Sequence, residues 1–253
     1  VAGGRLYVTD AGANRVVVFD TGGATVAAWG DTTLELRRPM HITRGTDGLL
    51  YVAEYLADRV TVLDTSGRVV RRVGGSSGPR PGELDAPAGA VAQGDTVFVA
   101  DFFNHRVQAF DPGRVRVVGR PGRAGAARLH YPTDVALEDS LLYVADAYNN
   151  RVQVFGRGGE YVRRWGGPLG IGLPGRLKGW FRVATGVEVT GGRVYVADFY
   201  NDRVQIFTRE GHYLGQMADS LERPTDLAVA EDGALYVVAF GGKRVVRLRR
   251  RGW

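Results

Sequence analysis

The stretch Val97–Phe110 reads VFVADFFNHRVQAF and contains the pattern on which the rest of the chain is built. Two runs of β-branched and apolar residues flank a short polar connection, which is typical of an antiparallel hairpin of two short strands. Asp101 ends the first strand, where we expect its carboxylate to accept hydrogen bonds from backbone N–H groups of the turn. Arg106 opens the second strand and carries a fork of donors that matches a carboxylate. The stretch therefore predicts a hairpin closed by an acid–arginine pair.

The same pattern recurs five more times, in copies that begin at Tyr7, Tyr51, Tyr143, Tyr195 and Tyr236. The positions equivalent to Asp101, which are 10, 54, 101, 146, 198 and 239, lie 44, 47, 45, 52 and 41 residues apart. A period of this length with several strands per repeat predicts a six-bladed β-propeller. The predicted turn motif comprises Asp10 and Arg15, Glu54 and Arg59, Asp101 and Arg106, Asp146 and Arg151, and Asp198 and Arg203.

The segment Asn104-His105-Arg106-Val107, within the repeated YVAD-x-x-N-x-R-V-x-x-F pattern, resembles the NHL repeat, and the resemblance extends over essentially the whole chain. It implies an all-β fold, a six-bladed propeller with four antiparallel strands, a to d, in each blade. It also implies a range of functions, because members of the family mostly bind proteins or RNA. A distant branch, the peptidyl-amidating lyases, carries a metal in the central channel. The resemblance therefore predicts the fold more sharply than the function.

We expect one propeller domain over residues 1–253, in which the repeated hairpin forms strands b and c. The predicted blades are a partial blade 1 over residues 1–30, blade 2 over 39–74, blade 3 over 87–119, blade 4 over 132–166, blade 5 over 182–217 and a partial blade 6 over 224–253. The first blade lacks a strand a and the last has little chain left for a strand d, so the seam between them is incomplete. We expect an N-terminal segment or another chain to close the ring, because open sheet edges favour aggregation.

Composition excludes several kinds of site. The 253 residues contain no Cys, which excludes disulfides, thiolate metal sites and Cys nucleophiles. No apolar run approaches the length of a membrane-spanning helix. The formal net charge is +6, and nearly all of the positive charge is Arg. This surplus suits an anionic partner, and it is equally consistent with charges that protect blade edges.

The b–c turns and the d–a connections of a propeller lie on one face, and here that face is rich in aromatic and basic residues. The longest d–a connection, residues 166–182, reads GGPLGIGLPGRLKGWFR, and its length indicates a functional loop. Aromatic rings beside Arg suit either a protein interface or the stacking of single-stranded RNA. Packing of the turn aromatics on neighbouring turns is the alternative. The candidate face comprises Tyr55, Phe102, Phe103, Tyr148, Phe199, Tyr200, Trp180, Phe181, Phe240, Arg37, Arg38, Arg123, Arg176 and Lys178.

A second candidate site lies at the predicted central channel. His41, Asp134 and Asp226 each follow a strand-opening Pro by two residues and are weak candidates for metal ligands. Amidating lyases bring several channel histidines, whereas only His41 stands at this position here. We therefore predict no catalytic residues and no cofactor.

The leading functional prediction is a non-enzymatic binding or scaffold module that holds a protein partner on the aromatic and Arg-rich face. Single-stranded RNA binding on the same face is the first alternative. A metal-dependent lyase or hydrolase at the central channel is the second.

Overall fold

A computed structural model describes residues 1, 3–30 and 34–248, and its described residues form six antiparallel β-sheets with no α-helix. The prediction of an all-β propeller with six blades is confirmed. The chain divides into two compact units, Val1–Val117 and Val118–Trp253.

The first unit contains three sheets, each paired in chain order. Sheet 1 consists of β1 (Arg5–Asp10), β2 (Arg15–Asp20) and β3 (Thr25–Trp29). Sheet 2 consists of β4 (Pro39–Arg44), β5 (Leu50–Glu54), β6 (Arg59–Leu63) and β7 (Val69–Gly74). Sheet 3 consists of β8 (Pro87–Gln93), β9 (Thr96–Asp101), β10 (Arg106–Asp111) and β11 (Arg114–Val118). The last residue of β11, Val118, is the first residue of the second unit.

The second unit contains the other three sheets and a short parallel pair, β12 (Arg120–Pro121) with β13 (Arg128–Leu129). Sheet 4 consists of β14 (Pro132–Glu138), β15 (Leu141–Asp146), β16 (Arg151–Gly156) and β17 (Tyr161–Trp165). Sheet 5 consists of β18 (Ala184–Thr190), β19 (Arg193–Asp198), β20 (Arg203–Thr208) and β21 (Tyr213–Met217). Sheet 6 consists of β22 (Pro224–Val229), β23 (Leu235–Ala239) and β24 (Arg244–Leu248).

The repeated hairpin forms the two middle strands of a blade, as predicted. Asp146 pairs with Arg151 across β15 and β16, and Asp101 pairs with Arg106 across β9 and β10. Both faces of β15 are buried apart from its first residue, Leu141. The strand β15 is therefore apolar almost throughout rather than alternating, because side chains of neighbouring sheets cover both of its faces.

Apolar side chains fill the space between successive sheets within each unit. In the second unit, Tyr143 and Val154 of sheet 4 pack with Val194 and Phe207 of sheet 5. A further cluster joins sheets 5 and 6 through Ile206, Leu227 and Val237. In the first unit, Val60 and Val62 pack with Val97 and Val99. Burial of these side chains is the main favourable term for the fold.

Sheets 1 and 6 each have three strands in the described part of the chain, as the sequence predicts for the two partial blades. Residues 249–253, at the end of predicted blade 6, lie outside the described residues. Among the residues that the structure describes, no helix has the length and apolar character needed to span a bilayer.

Candidate partner-binding loop face

The acid–arginine pair forms in five of the six b–c turns. In each, the arginine Nε donates to the carboxylate five residues earlier, at distances between 2.7 and 3.0 Å. The surroundings differ between blades. The Asp10 and Arg15 side chains are 37% and 48% exposed, whereas those of Asp146 and Arg151 are fully buried.

In most blades the carboxylate at the end of strand b holds the preceding d–a connection as well as side chains of its own hairpin. Asp146 accepts the His130 N–H at 2.7 Å, across 16 residues of chain. Asp101, Asp198 and Glu54 accept the N–H groups of Asp85, Arg182 and Arg37 in the same way. The predicted bond to a turn N–H is present at Asp10, which accepts from Ala13 at 3.1 Å. The bonds to the preceding connection were not predicted from the sequence.

Further side-chain donors, an Asn and a Gln, complete the networks of sheets 3, 4 and 5. Around Asp146 these are Asn149 Nδ2 at 2.8 Å and Gln153 Nε2 at 2.8 Å, and Gln153 Nε2 also donates to the Arg128 carbonyl at 2.6 Å. The Gln seven residues after the acid was missed by the sequence analysis, although it recurs as Gln108, Gln153 and Gln205. Because every donor of the network is buried with its acceptor, the turn and the connection are held as one rigid unit.

The residue before each turn arginine adopts a left-handed conformation and reaches the next connection. Asn150 has φ 49° and accepts the Val183 N–H at 2.9 Å. The equivalent pairs are Asn14 with Arg38, Asp58 with Ala86, and Asp202 with Arg223. Val183 itself has φ 65°, which is strained for a β-branched residue. The b–c turns and d–a connections of each unit therefore form one continuous surface, which we call the loop face.

The loop face of the first unit carries an aromatic group in which the turns of sheets 2 and 3 meet. Tyr55 lies 6.3 Å from Phe102 and 6.0 Å from Phe103, measured between ring centroids. The Arg38 guanidinium lies 5.2 Å from the Tyr55 centroid. Tyr55 and Phe102 are half-buried by this packing, whereas Phe103 is exposed.

The loop face of the second unit presents two more exposed tyrosines. Tyr148 is 54% exposed and packs edge-on against Tyr131 at 5.0 Å, and Tyr200 is 52% exposed and lies 4.8 Å from the half-buried Phe199. The His130 ring lies 6.0 Å from the Tyr148 ring, measured between centroids. Burial and the nearby Arg123 lower the pKa of the His130 imidazole below its ordinary value of 6.5. Burial and Arg123 thus disfavour the charged imidazole, and the positive charge of this surface comes from Arg and Lys.

One residue that the sequence predicted for the loop face, Phe181, lies in the core instead. Phe181 is completely buried and packs against Phe207 at 5.7 Å, because its side chain enters the core between sheets 4 and 5. It therefore cannot contact a partner. Trp180 is half-buried and lies over Gly175. The remaining predicted residues of the face are exposed, namely Arg37, Arg38, Arg123, Arg176, Lys178 and Phe240.

The connection of residues 166–182 is ordered by its own hydrogen bonds. The Gly167 N–H donates to the Gly179 carbonyl at 3.1 Å, and the Gly172 N–H donates to the Gly166 carbonyl at 2.9 Å. Between these bonds Leu169 is held at φ 54°, in the left-handed region, and its side chain is 94% exposed. Ile171, Leu173 and Leu177 are exposed as well. The sequence indicated the loop by its length but did not single out these aliphatic residues.

The three channel candidates lie on inner strands of the two units. In the first unit, His41 Nδ1 accepts the Ala90 N–H at 3.3 Å. In the second unit, Asp134 accepts the Val187 N–H at 2.9 Å, and Asp226 accepts the N–H of its neighbour Leu227 at 2.7 Å. Carboxylate oxygens of Asp134 and Asp226 lie within 4.8 Å of one another. These side chains are thus engaged in holding the inner strands of their own units.

Sheet 6 lacks the turn acid because Ala239 occupies its position. In the absence of that acid, Arg244 Nη2 lies 3.3 Å from Glu222 Oε1 in the preceding connection. The last blade therefore replaces a buried ion pair by an exposed one.

Two segments, residues 129–155 and 181–207, match the family model described as NHL repeat. Both cover a hairpin and the end of the connection before it, in sheets 4 and 5. None of the curated protein sequences matches the chain.

Several solved structures share the fold over nearly the whole chain. A catalytically inactive virginiamycin B lyase from Staphylococcus aureus with quinupristin is 16% identical, with a TM-score of 0.68 over 98% of this chain and 78% of the other. A streptogramin B lyase is 13% identical, with a TM-score of 0.68 over 100% and 82%. A chain of a nidogen/laminin complex is 15% identical, with a TM-score of 0.65 over 85% and 76%.

These similarities correct one prediction. The expectation that the protein is not an enzyme relied on the family resemblance, and it is contradicted because lyases share this fold at nearly full coverage. At identities of 13–16% the similarity shows the fold and no more.

Proposed function

Because the chain is an NHL-repeat β-propeller, we propose that it binds a protein partner on the loop face of its second unit. The observation that carries the proposal is Leu169, an aliphatic side chain 94% exposed on a strained, internally hydrogen-bonded connection. An exposed leucine gains no burial energy in the free protein, and its positive φ costs about 1–2 kcal/mol. Both costs are offset when the side chain enters an apolar pocket of a partner.

The ordered connection favours binding in a second way. Its hydrogen bonds fix the loop before the partner arrives, so little conformational entropy is lost on association. Tyr148 and Tyr200 lie in the turns that adjoin its two ends, since Asn150 contacts Gly172 and the Tyr200 N–H donates to the Arg182 carbonyl. Exposed tyrosines around an aliphatic centre are typical of protein interfaces.

The same residues argue against the RNA alternative. Single-stranded nucleic acid is bound by flat rings on which bases stack. Leu169 and Leu177 are the two most exposed apolar side chains of this face and offer no ring, and the exposed rings of Phe240, Tyr148 and Tyr200 come after them. The nidogen/laminin complex supports the proposal to the extent that a chain of this fold is found in a protein complex.

Leu169→Gly tests the proposal with little risk of unfolding, because glycine adopts a positive φ without strain. We expect the free energy of unfolding to stay within about 1 kcal/mol of the wild-type value, since the relief of strain opposes the greater entropy of the unfolded chain. We expect partner affinity to fall by about 30-fold or more, as for loss of an interface anchor worth about 2 kcal/mol. Co-purification from an extract of the source cells at high salt provides the measurement.

The matched control is Leu214→Gly, which removes another exposed leucine of the second unit, on the outer strand β21. A protein retained equally by wild type, Leu169→Gly and Leu214→Gly would contradict the proposal. Recovery of RNA in place of protein, dependent on Leu169, would favour the alternative function.

A further inference from the structure

The two longest connections of the second unit's loop face are basic and carry no acid. Residues 119–131 and 166–182 contain no Asp or Glu. Their six cationic side chains are all exposed, namely Arg120, Arg123, Arg128, Arg176, Lys178 and Arg182. The adjoining turns contribute one exposed acid, Asp202, whose carboxylate accepts the Arg223 N–H. This surface therefore has an excess of positive charge.

Cations at the other ends of the same strands are arranged differently. Arg209 lies 2.7 Å from Asp139 and 3.3 Å from Glu138, and Arg247 lies 2.7 Å from Asp232. Arg163 lies 4.0 Å from Glu210. These three arginines are thus paired with carboxylates of the unit itself.

None of the six loop-face cations has a carboxylate within 4.0 Å among the residues that the structure describes. Arg128 donates to the Pro121 carbonyl, and Lys178 lies 5.8 Å from the Tyr213 ring, but neither contact neutralises charge. A cluster of uncompensated like charges raises the energy of the free protein and attracts an anionic partner. The asymmetry between the two ends therefore identifies the charge of what binds.

We infer that the partner presents an acidic segment with interspersed apolar side chains to the loop face of the second unit. This inference rests on the proposed function and adds the chemistry of the partner. Its carboxylates pair with the cations of residues 119–131 and 166–182, while its apolar side chains contact Leu169 and its aliphatic neighbours. The planar guanidinium of Arg can donate two parallel hydrogen bonds to one carboxylate. The predominance of Arg over Lys on this surface therefore favours a partner that carries carboxylates.

The binding site lies between two basic connections. Residue 172 of the longer connection adjoins the 147–150 turn, and that turn is bound through His130 and Arg128 to the shorter connection. The turn that carries the exposed Tyr148 therefore contacts both basic connections. A bound segment would follow this surface with acidic residues towards the cations and apolar residues towards Leu169 and Tyr148.

The probes for the test are fluorescein-labelled peptides that repeat Glu-Glu-Leu, Lys-Lys-Leu or Glu-Glu-Ser, together with a labelled oligouridylate of similar length. Fluorescence anisotropy with the full chain measures their affinity at low and high salt. We expect the Glu-Glu-Leu peptide to bind most tightly, because it alone supplies both the charge and the apolar side chains. We expect Arg176→Glu/Lys178→Glu to weaken it by about tenfold or more.

The control variant is Arg157→Glu/Arg193→Glu, which makes the same change in net charge at the other ends of the strands of this unit. Equal weakening by both double variants would overturn the inference, and so would equal affinity for the Lys-Lys-Leu peptide or tighter binding of oligouridylate. If the Glu-Glu-Leu peptide fails to bind while Leu169→Gly still abolishes co-purification of the partner, only the inferred chemistry is overturned. If Leu169→Gly has no effect either, the proposed function falls with it.

Discussion

Asp146→Ala is expected to lower the free energy of unfolding by about 3–5 kcal/mol, because it leaves the buried Arg151 guanidinium without its counter-charge. The carboxylate also accepts hydrogen bonds from the His130 N–H, Asn149 and Gln153, all at 2.7–2.8 Å. Water cannot replace the lost carboxylate as the acceptor for these donors, since Asp146 and Arg151 are both fully buried. Urea denaturation of the purified wild-type and variant proteins provides the measurement. The free energies of unfolding are compared once both proteins are shown to have the same m-value.

The matched control is Asp10→Ala, the same substitution at the equivalent position of sheet 1. There the Asp10 and Arg15 side chains are partly exposed, so water screens the pair and the expected loss is about 1 kcal/mol or less. Similar losses for both variants would contradict the account, because the acid–arginine pair is the same, whereas its burial differs and sheet 1 has Ala13 and Val17 in place of the donors Asn149 and Gln153. A further consequence is local: Asp146→Ala is expected to expose the His130 amide to faster hydrogen exchange.

Gly166→Ala is expected to cost about 3–5 kcal/mol, because the new methyl group has no room and the backbone is in a conformation that alanine disfavours. Gly166 has φ 134°, and a Cβ there would lie 2.6 Å from the Asn150 carbonyl oxygen and 2.7 Å from Arg151 Cα. Both contacts are with backbone atoms of the adjacent turn, which cannot rotate away. The strand and the start of the connection that carries Leu169 would have to separate.

Gly233→Ala provides the control for backbone conformation alone. Gly233 also has a positive φ, 78°, but nothing lies within 4 Å of the Cβ position. Its expected cost is therefore about 1 kcal/mol, from the disfavoured conformation without a clash. Thermal or urea unfolding distinguishes the two variants, and an equally small loss at Gly166 would show that the close approach of turn and connection is not as described.

The repeat made the fold predictable, because each copy of the Tyr-Val-Ala-Asp hairpin carries its own strands and turn. Local sequence could not show that Asp146 holds the connection 16 residues earlier, since that contact depends on where the chain returns after strand a. It also could not show that Phe181 faces the core while its neighbour Trp180 lies near the surface. The two residues are adjacent in the sequence, so an error of one position in the prediction exchanges a buried environment for a half-buried one. Spacing could have found Gln153, because a glutamine recurs seven residues after the acid in three copies.

The sequence predicted most residues of the candidate face but not Leu169, on which the proposed function rests. Aromatic residues in the turns and arginines in the connections are visible in the sequence, and all but Phe181 reach at least partly exposed positions. Leu169 is different, because a leucine in a Gly- and Pro-rich segment carries no signal of exposure. Its side chain is exposed only because the surrounding hydrogen bonds fix the loop, and those bonds are a property of the folded chain.

Site-specific photo-crosslinking at position 169 tests the central claim most directly. A benzophenone amino acid replaces Leu169 in the full chain, and a second protein carries it at Ser140, which lies in an a–b turn at the other end of sheet 4. After irradiation in an extract of the source cells, the account predicts one dominant protein adduct at position 169, abolished by an excess of the unlabelled wild-type chain and missing at position 140. The same adducts at both positions, or a nucleic-acid adduct at position 169, would contradict it.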